Sequence, residues 1–421
     1  MKIAYRNRIL DGVLKEKLEY SGAVLIEGPK WCGKTTTAKQ LAKSVLSMQD
    51  PDNTRRYMET ANVKPSLLLI GENPRLLDEW QVAPVLWDAV RHSVDERGET
   101  GLYILTGSNV PKDNSTMHSG TGRISRILMR PMSLYESNDS NGTVSLQSLF
   151  EKHIDIGEIS ETTIEKIAFF ICRGGWPNAV GRSERISLRQ AVDYTEAIIN
   201  TDASRVDGVQ RDPNKVRWLL KSLARNIASE SKASTIINDM LIDEGTMSDE
   251  TLRNYVVALR RIFVVEDLPA WNPSIRSKTT IRTTPKHHFI DPSIGIAALK
   301  VSPKDLLNDF NTFGLFFESL CVRDLRIYAQ SIYGDVFHYR DKSGLEADAI
   351  IHLHNGDWAA IEIKLGVNDI DEGAKNLIKL RERINTEKMK EPSFLMILTG
   401  TEFAYKRKDG IYVVPIGCLK D

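Results

Sequence analysis

The residues with the clearest chemical potential lie near the beginning of the chain, in a stretch that carries the pattern G-x-x-x-x-G-K-[ST]. They are Gly28, Pro29, Lys30, Trp31, Cys32, Gly33, Lys34, Thr35 and Thr36. In such a loop the backbone N–H groups and the N-terminus of the following helix surround a phosphate group. We expect Lys34 to reach the β and γ phosphates of ATP and to assist catalysis, and Thr35 to bind Mg²⁺. The alternative is a chance glycine turn.

Two acidic residues, Asp78 and Glu79, follow a short apolar run within the stretch PRLLDEWQ. A carboxylate at the end of a strand can hold Mg²⁺, and a glutamate directly after it can polarise the attacking water. The pattern therefore predicts Asp78 as a metal ligand and Glu79 as the catalytic base. A solvated acidic turn is the alternative.

Polar residues accompany two further predicted strands, and we assign them to catalysis as well. The stretch GLYILTGSN ends in Ser108 and Asn109, which are expected to sense the γ phosphate. The stretch GRISRILMRP carries Arg123 and Arg126. Either arginine is a candidate arginine finger, which stabilises the charge that develops during phosphoryl transfer. Ordinary surface charges are the alternative for this pair.

A second cluster of chemistry-bearing residues is predicted near the C-terminus, from Glu318, Asp348, Glu362 and Lys364. Asp348 and Glu362 lie on two predicted strands that flank an Asn-Gly turn. A three-residue loop at 355–357, or a bulge, is needed to bring both carboxylates to one face, because side chains alternate along a strand. Carboxylates gathered in this way repel one another unless they share a cation. A surface hairpin with ordinary charges is the alternative.

These motifs resemble those of known families. The stretches GPKWCGKTT, LLDEWQ and LTGSN resemble the AAA+ ATPases, in which a glutamate directly follows the Walker B aspartate and an extra strand separates the two Walker strands. With RGGWP at 173–177, they resemble a prokaryotic family that fuses an AAA-type ATPase to a C-terminal domain of unknown function. The C-terminal residues resemble the PD-(D/E)xK nuclease fold. That resemblance implies acids that bind Mg²⁺ and a lysine that activates water, although members of the family need not cleave DNA.

The elements that must position these residues indicate a multidomain α/β chain, since 421 residues exceed what one core usually holds. Residues 1–148 are predicted to form a P-loop NTPase core with an AAA+-like parallel sheet. Residues 149–205 are predicted to form a helical lid, in which Gly174-Gly175 is a bend or a simple turn. Residues 206–286 read as a winged helix, and residues 287–421 as a restriction-endonuclease-like α/β domain.

The winged-helix interpretation raises DNA as a candidate partner. Its last predicted helix begins with Asp249 and Glu250, which would repel phosphates, whereas the following stretch is basic. The basic residues are Arg276, Lys278, Arg282 and Lys286. DNA binding through this region and a role in protein docking both remain open.

Composition narrows the class of protein. The 56 basic and 56 acidic residues balance, so a generic polyanion binder is not expected. Four scattered cysteines and no long apolar run predict a cytoplasmic protein without a membrane span. Three functions stay open: an ATPase that controls a nuclease-like domain acting on DNA, a nucleotide-dependent assembly protein with an inactive nuclease fold, and a DNA-binding regulator. An arginine finger supplied by a neighbour would require a homo-oligomer.

Overall fold

The computed structural model describes residues 4–108, 120–151, 154, 156–203, 206–243, 245–273, 284–384 and 389–421. The chain divides into two compact units. The N-terminal unit comprises Met1–Pro131, Thr201–Gln210 and Val257–Val264. The C-terminal unit comprises Met132–Asn200, Arg211–Val256 and Val265–Asp421.

The N-terminal unit is built on a parallel sheet of five strands. They are β1 (Ala23–Glu27), β2 (Ser44–Ser47), β3 (Arg75–Asp78), β4 (Tyr103–Gly107) and β5 (Ile124–Leu128). Their order across the sheet is β2-β3-β4-β1-β5, so β4 lies between β1 and β3. The extra strand implied by the AAA+ resemblance is therefore present.

Both faces of this sheet are covered, which explains why the central strands are continuous apolar runs. The helices are α1 (Ile9–Tyr20), α2 (Lys34–Leu41), α3 (Thr54–Val63) and α4 (Val85–Arg97). Leu25 of β1 joins a core with Trp80 and Trp87, whereas its neighbour Ile26 joins a core with Leu14 on the opposite face. The helix predicted after the glycine loop is shorter than expected, because residues 44–47 form β2.

The C-terminal unit contains a mixed sheet of seven strands in the order β7-β12-β13-β11-β10-β9-β8. The central pairs β10/β11 and β11/β13 are parallel, and the outer pairs are antiparallel. A separate pair, β6 with β14, is parallel. The strands of this unit are β6 (Val144–Ser145), β7 (Gly157–Ile159), β8 (Gly334–Arg340), β9 (Glu346–Leu353), β10 (Trp358–Lys364), β11 (Phe394–Thr399), β12 (Phe403–Lys406), β13 (Tyr412–Pro415) and β14 (Leu419–Lys420).

The remaining helices surround this sheet or precede it in the chain. They are α5 (Leu146–Glu151), α6 (Ile164–Arg173), α7 (Glu184–Ala197), α8 (Pro213–Arg225), α9 (Ala233–Met240), α10 (Asp249–Arg261), α11 (Pro292–Leu299), α12 (Pro303–Asn308), α13 (Phe310–Ser331) and α14 (Ile370–Arg383). Helix α13 packs on β8, β9 and β10. Its Phe313, Phe316 and Phe317 recur at helical spacing and are fully buried. None of the described helices has the length and apolarity that a membrane span requires.

The division between the units differs from the predicted boundary at residue 148. Residues 136–148 were expected to loop out of the first domain, yet they are anchored in the C-terminal unit. The Ser140 hydroxyl donates to the carbonyl of Leu419 (2.8 Å), and β6 pairs with β14. Strand β7, which falls within the predicted lid at 149–205, pairs with β12 at the edge of the large sheet. A polar sequence thus holds strands together through its own hydrogen bonds.

The RGGWP stretch fixes several segments of the C-terminal unit and is more than a bend. The N–H of Gly175 donates to Asp291 (2.9 Å), and the Trp176 indole donates to Ser293 (3.0 Å). A Cβ at Gly175 would lie 2.1 Å from the carbonyl oxygen of Met132. Only glycine allows this close backbone approach.

The predicted winged-helix region contains the three expected helices, α8, α9 and α10. Two isolated antiparallel bridges follow, Val265 with Phe289 and Leu268 with Lys286. Arg276, Lys278 and Arg282 lie outside the described residues. Lys286 was grouped with them as an exposed basic residue, but it is only 7% exposed. The fold therefore removes Lys286 from any DNA-binding surface.

The hairpin between β9 and β10 places its carboxylates by a register that differs in detail from the prediction. The loop has three residues, as expected, but they are 354–356, because Leu353 and Asp357 still pair (2.8 Å). Ala349 lies opposite Ile361, so Asp348 faces Glu362 directly. A bulge between β8 and β9 also lies beside Asp348, opposite His338. Such bulges redirect side chains.

Candidate functional site

The glycine loop joins β1 to α2 and adopts a conformation that its glycines make accessible. Gly28 has φ 151°, and a Cβ there would lie 2.2 Å from the carbonyl oxygen of Met129. Gly33 has φ 107° and directly precedes α2. Between them, Trp31 also has a positive φ, 65°, and its side chain is exposed. These positions turn the chain sharply, so that the N-terminus of α2 follows the loop at the carboxyl end of β1.

Lys34 is buried and folds back over the loop. Its ammonium donates to the carbonyl oxygens of Gly28 (3.0 Å) and Pro29 (2.7 Å). The side chain is only 5% exposed, so these carbonyls stabilise a charge that would otherwise be poorly solvated. The ammonium therefore lies beside the loop with partners that a phosphate can replace.

Thr35 and Asp78 meet at the carboxyl edge of the sheet. The Thr35 hydroxyl donates to Asp78 Oδ1 (2.6 Å), and the Thr106 hydroxyl donates to the same oxygen (2.6 Å). A hydroxyl and a carboxylate at this edge are the donor set with which P-loop proteins hold Mg²⁺. Thr35 and Asp78 thus fit the predicted ion and would polarise the phosphate oxygens bound to it.

Glu79 follows β3 in a left-handed conformation with φ 55°. Its Oε2 accepts hydrogen bonds from Gln81 Nε2 (2.5 Å) and from the Ser108 hydroxyl (3.1 Å). The Glu79 backbone N–H donates to Thr106 (3.3 Å). The predicted base is therefore close to Asp78 and Ser108, and it is restrained by neutral donors only.

The other predicted binding residues differ in accessibility. Pro29 and Cys32 are buried, whereas Lys30 and Thr36 are exposed. Lys30 pairs with Asp202 (2.5 Å) within the N-terminal unit. The carbonyl of Cys32 accepts a hydrogen bond from the Arg8 guanidinium (2.8 Å). Cys32 therefore contributes its backbone to the loop, while its side chain belongs to the core.

The two candidate arginine fingers are not brought to the phosphate loop. Arg123 directly precedes β5, at the end of the sheet opposite the loop, and pairs with Asp95 (2.7 Å). Arg126 lies in β5, 3.5 Å from Glu27, with its guanidinium over the Trp87 ring. Burial raises the pKa of Glu27, and Arg126 opposes that shift. Asn109 lies outside the described residues.

Three residues that sequence reasoning did not select support the site. Thr106 and Gln81 bind Asp78 and Glu79 respectively, and both occur in the stretches that carried the motifs. Arg8 joins the carbonyl of Cys32 to that of Arg130 (both 2.8 Å) and is buried. No local signal marks Arg8, because its partners are distant in sequence.

The predicted C-terminal residues also come together, but with an unpredicted partner. Lys364 lies 2.6 Å from Glu362 and 3.5 Å from Asp348. Lys286 lies 2.7 Å from Glu318 and 3.6 Å from Asp348. All five side chains are largely buried. We call Lys286, Glu318, Asp348, Glu362 and Lys364 the buried ion-pair cluster.

Burial and charge compete over protonation in this cluster. Burial raises the pKa of Glu318 to about 7, against the opposing effect of Lys286. Burial and the nearby Asp348 raise the pKa of Glu362 to about 8, although Lys364 opposes this. For Asp348, the two lysines and the N–H of Ile363 outweigh burial and lower the pKa. Burial alone would lower the pKa of both lysines, but the carboxylates raise it.

These residues do not fit the divalent metal that the nuclease resemblance implies. Metal–oxygen distances are about 2.0–2.6 Å, and the ligands must converge on one point. Here the carboxylates instead surround two ammonium groups. Among the residues that the structure describes, no group of three or more His, Cys, Asp or Glu is arranged to hold a metal ion. We therefore derive no metal-dependent step at this cluster.

Three stretches of the chain match protein families. Residues 20–138 match an AAA domain family, residues 164–305 match a domain of unknown function (DUF8612), and residues 313–419 match another (DUF4143). No curated protein matches the chain. Among solved structures it is similar to the Walker-type ATPase PABY2304 of Pyrococcus abyssi, with 12% identity and a TM-score of 0.42, over 70% of this chain and 96% of that one.

The AAA match covers the glycine loop, the acids after β3 and the serine after β4. The match at 313–419 covers the carboxylates of the buried ion-pair cluster, but that family has no described function. Together with the geometry of the loop, the family match supports a P-loop ATPase domain in the N-terminal unit.

Proposed function

We propose that residues 28–36 bind ATP and that the N-terminal unit hydrolyses it in the presence of Mg²⁺. The observation that carries the proposal is the convergence of Lys34, Thr35, Asp78, Glu79 and Ser108 at one edge of the parallel sheet. Ligands bind at the carboxyl edge in open α/β sheets, and this edge combines an ammonium, two carboxylates and hydroxyl groups.

The roles of the side chains follow from their present partners. Lys34 exchanges its two carbonyl partners for phosphate oxygens. Thr35 and Asp78 hold the ion. Glu79 orients and polarises the attacking water, while Ser108 lies where it senses the transferred phosphate. Asn109, Arg123 and Arg126 keep their predicted roles as proposals. For either arginine, the role requires release from its present partner or action on a neighbouring copy of the chain.

Calorimetric titration with ATP and Mg²⁺ tests the binding site. The Lys34→Ala variant should bind ATP at least about tenfold more weakly, because a charged contact to phosphate contributes roughly 1.5–3 kcal/mol. Lys39→Ala, on the exposed face of α2, is the matched control and should bind like the unaltered chain. Equal affinities for all three proteins would disprove the assignment.

We propose further that the nucleotide cycle controls the C-terminal unit, which has a nuclease-like fold and acts on DNA or on another macromolecule. The convergence of Glu318, Asp348, Glu362 and Lys364 supports that fold. A second candidate function is nucleotide-dependent binding, assembly or DNA-binding regulation with a catalytically inactive nuclease fold. The pairing of the carboxylates with ammonium groups favours this second candidate.

Plasmid nicking separates the two candidates. The unaltered chain is incubated with supercoiled DNA and Mg²⁺ or Mn²⁺, beside the Asp348→Ala variant. Metal-dependent nicking that disappears in the variant supports cleavage. The inactive fold predicts no nicking by either protein, and salt-sensitive DNA binding then distinguishes a DNA regulator from an assembly protein.

A further inference from the structure

Lys286 is positioned by the backbone, independently of the charges that it meets. Its N–H donates to the carbonyl of Leu268 (3.0 Å), and its carbonyl accepts from the N–H of Leu268 (2.8 Å). The carbonyl of the next residue, His287, accepts from the N–H of Ala228 (2.8 Å). This segment is therefore fixed on both sides, and the fold delivers the Lys286 side chain into the buried ion-pair cluster.

The ammonium of Lys286 lies between two different elements. Glu318 comes from α13 and Asp348 from β9, and these are the carboxylates that the nuclease resemblance assigns to a shared metal ion. The distance from Nζ is 2.7 Å to Glu318 and 3.6 Å to Asp348. The first distance is typical of an ammonium–carboxylate hydrogen bond and longer than a metal–oxygen bond. The position expected for an ion therefore holds an ammonium.

The neighbouring histidines do not supply this positive charge. His288 and His338 are buried, and burial lowers the pKa of both imidazoles, that of His338 to about 4. Neutral rings leave Lys286 and Lys364 to balance Glu318, Asp348 and Glu362. A buried ammonium is stable only when it is paired, and buried carboxylates need a cation as well.

The partners in this arrangement come from different parts of the sequence. Lys286 lies in the stretch 164–305, which matches one family, whereas the three carboxylates and Lys364 lie in the stretch 313–419, which matches another. The C-terminal stretch therefore receives a cation from a segment that precedes it.

We propose that Lys286 is the built-in cation of this cluster: it occupies the position of a divalent metal between Glu318 and Asp348, and its removal opens a binding site for Mg²⁺ or Mn²⁺. The inference deepens the second candidate function, since a cluster already balanced by lysines has no place for a metal. It does not depend on ATP hydrolysis, which is measured at another site.

The test is Mn²⁺ binding without nucleotide, followed by the loss of the free-ion signal in electron paramagnetic resonance. The Lys286→Ala variant removes the ammonium and leaves room, so it should bind one more Mn²⁺ than the unaltered chain, at least about tenfold more tightly, which corresponds to roughly 1.4 kcal/mol. Lys342→Ala, at an exposed position, is the matched control and should not gain an ion. Any binding at the phosphate loop is common to all the proteins and cancels in the comparison.

Two further variants identify the site. Adding Glu318→Gln to Lys286→Ala should abolish the gain, because a carboxylate ligand is lost. Lys286→Met removes the charge but fills the space, so it should not gain the ion. Equal gains for the alanine and methionine variants would overturn the claim that the ammonium occupies the metal position.

The stability of the alanine variant gives an independent readout, because removing the ammonium leaves buried carboxylates unpaired. A ligand that binds only the folded state raises the melting temperature. Mn²⁺ should therefore raise that of Lys286→Ala and not that of Lys342→Ala. The proposal is disproved if Mn²⁺ neither binds nor stabilises Lys286→Ala. It is also disproved if the unaltered chain binds Mn²⁺ equally well through Glu318.

Discussion

The two charged clusters of this protein use similar residues in opposite ways. At the nucleotide site, Asp78 and Glu79 accept hydrogen bonds from neutral hydroxyl and amide groups, and Lys34 is bound by backbone carbonyls. In the buried ion-pair cluster, carboxylates and ammonium groups face each other directly. Neutral partners are readily exchanged for an ion or a phosphate, whereas opposite charges in a dry interior are hard to separate. The first cluster is ready for a ligand and the second is already complete.

The largest effect is expected from the base of the ready cluster. Replacing Glu79 by Gln removes the carboxylate that polarises water and should reduce ATP turnover about 10²–10⁴-fold while ATP binding persists. Turnover is measured by phosphate release and binding by calorimetry. Glu96→Gln on the exposed face of α4 serves as the control and should keep full turnover. Undiminished turnover in Glu79→Gln would assign the chemistry to another residue.

The next effect concerns the stability of the completed cluster. Lys364→Ala leaves Glu362 and Asp348 short of a cation and should destabilise the C-terminal unit by about 3–5 kcal/mol, measured by urea unfolding. The exposed pair of Lys390 and Asp357 is the matched control, and Lys390→Ala should change stability by at most about 1 kcal/mol. Similar losses in the two variants would contradict the contrast between buried and exposed pairs.

A smaller effect is expected at Gln81, which restrains Glu79. A hydrogen bond to a charged group contributes about 1.5–3 kcal/mol, so Gln81→Ala should free the carboxylate and raise basal ATP turnover up to about tenfold. Gln147→Ala, whose side chain bonds Glu151 on an exposed helix, controls for the loss of an amide. A fall in turnover would instead make Gln81 a residue that positions Glu79 for catalysis.

The smallest effect is a pH dependence of stability. The pKa of Glu362 rises from 4.5 to about 8 on folding, so the folded state holds the proton more tightly. The resulting stabilisation is complete below pH 4.5 and is lost as the pH rises through about 8. The melting temperature of the C-terminal unit should therefore fall over this range, and Glu362→Gln should flatten the fall.

The charged groups that face Glu362 are Asp348, Lys364 and Lys286, and none of them titrates strongly within this window. Glu318 contributes in the same direction, because its pKa is raised to about 7. Glu391→Gln, at an exposed position, is the control and should retain the full pH dependence. A dependence that survives unchanged in Glu362→Gln would have to come from other groups.

The sequence predicts the nucleotide site well, because its signals are local. The glycine loop, Asp78 and Ser108 each adjoin a strand whose apolar pattern can be read directly, and parallel strands bring their ends to one edge. The cluster in the C-terminal unit is predicted only in part. Lys286 pairs with a residue 32 positions away, and its basic neighbours in sequence suggested a solvent-exposed face.

The domain boundary is also beyond local signals. The stretch 136–148 looks like a surface loop by composition, yet its hydroxyl and backbone groups bond to the end of the chain. Hairpin register has the same limitation. The residues at 354–357 allow several loops, and packing on both faces of β9 and β10 selects one of them.

The pairing of β7 with β12 affects how this protein can be divided for study. A fragment restricted to residues 313–419 would lack the strand at 157–159 and would therefore present β12 as a bare sheet margin with unsatisfied amides and carbonyls. Such margins recruit other chains, so that fragment should self-associate on expression. Fragments designed to isolate the nuclease-like region should therefore begin near residue 132.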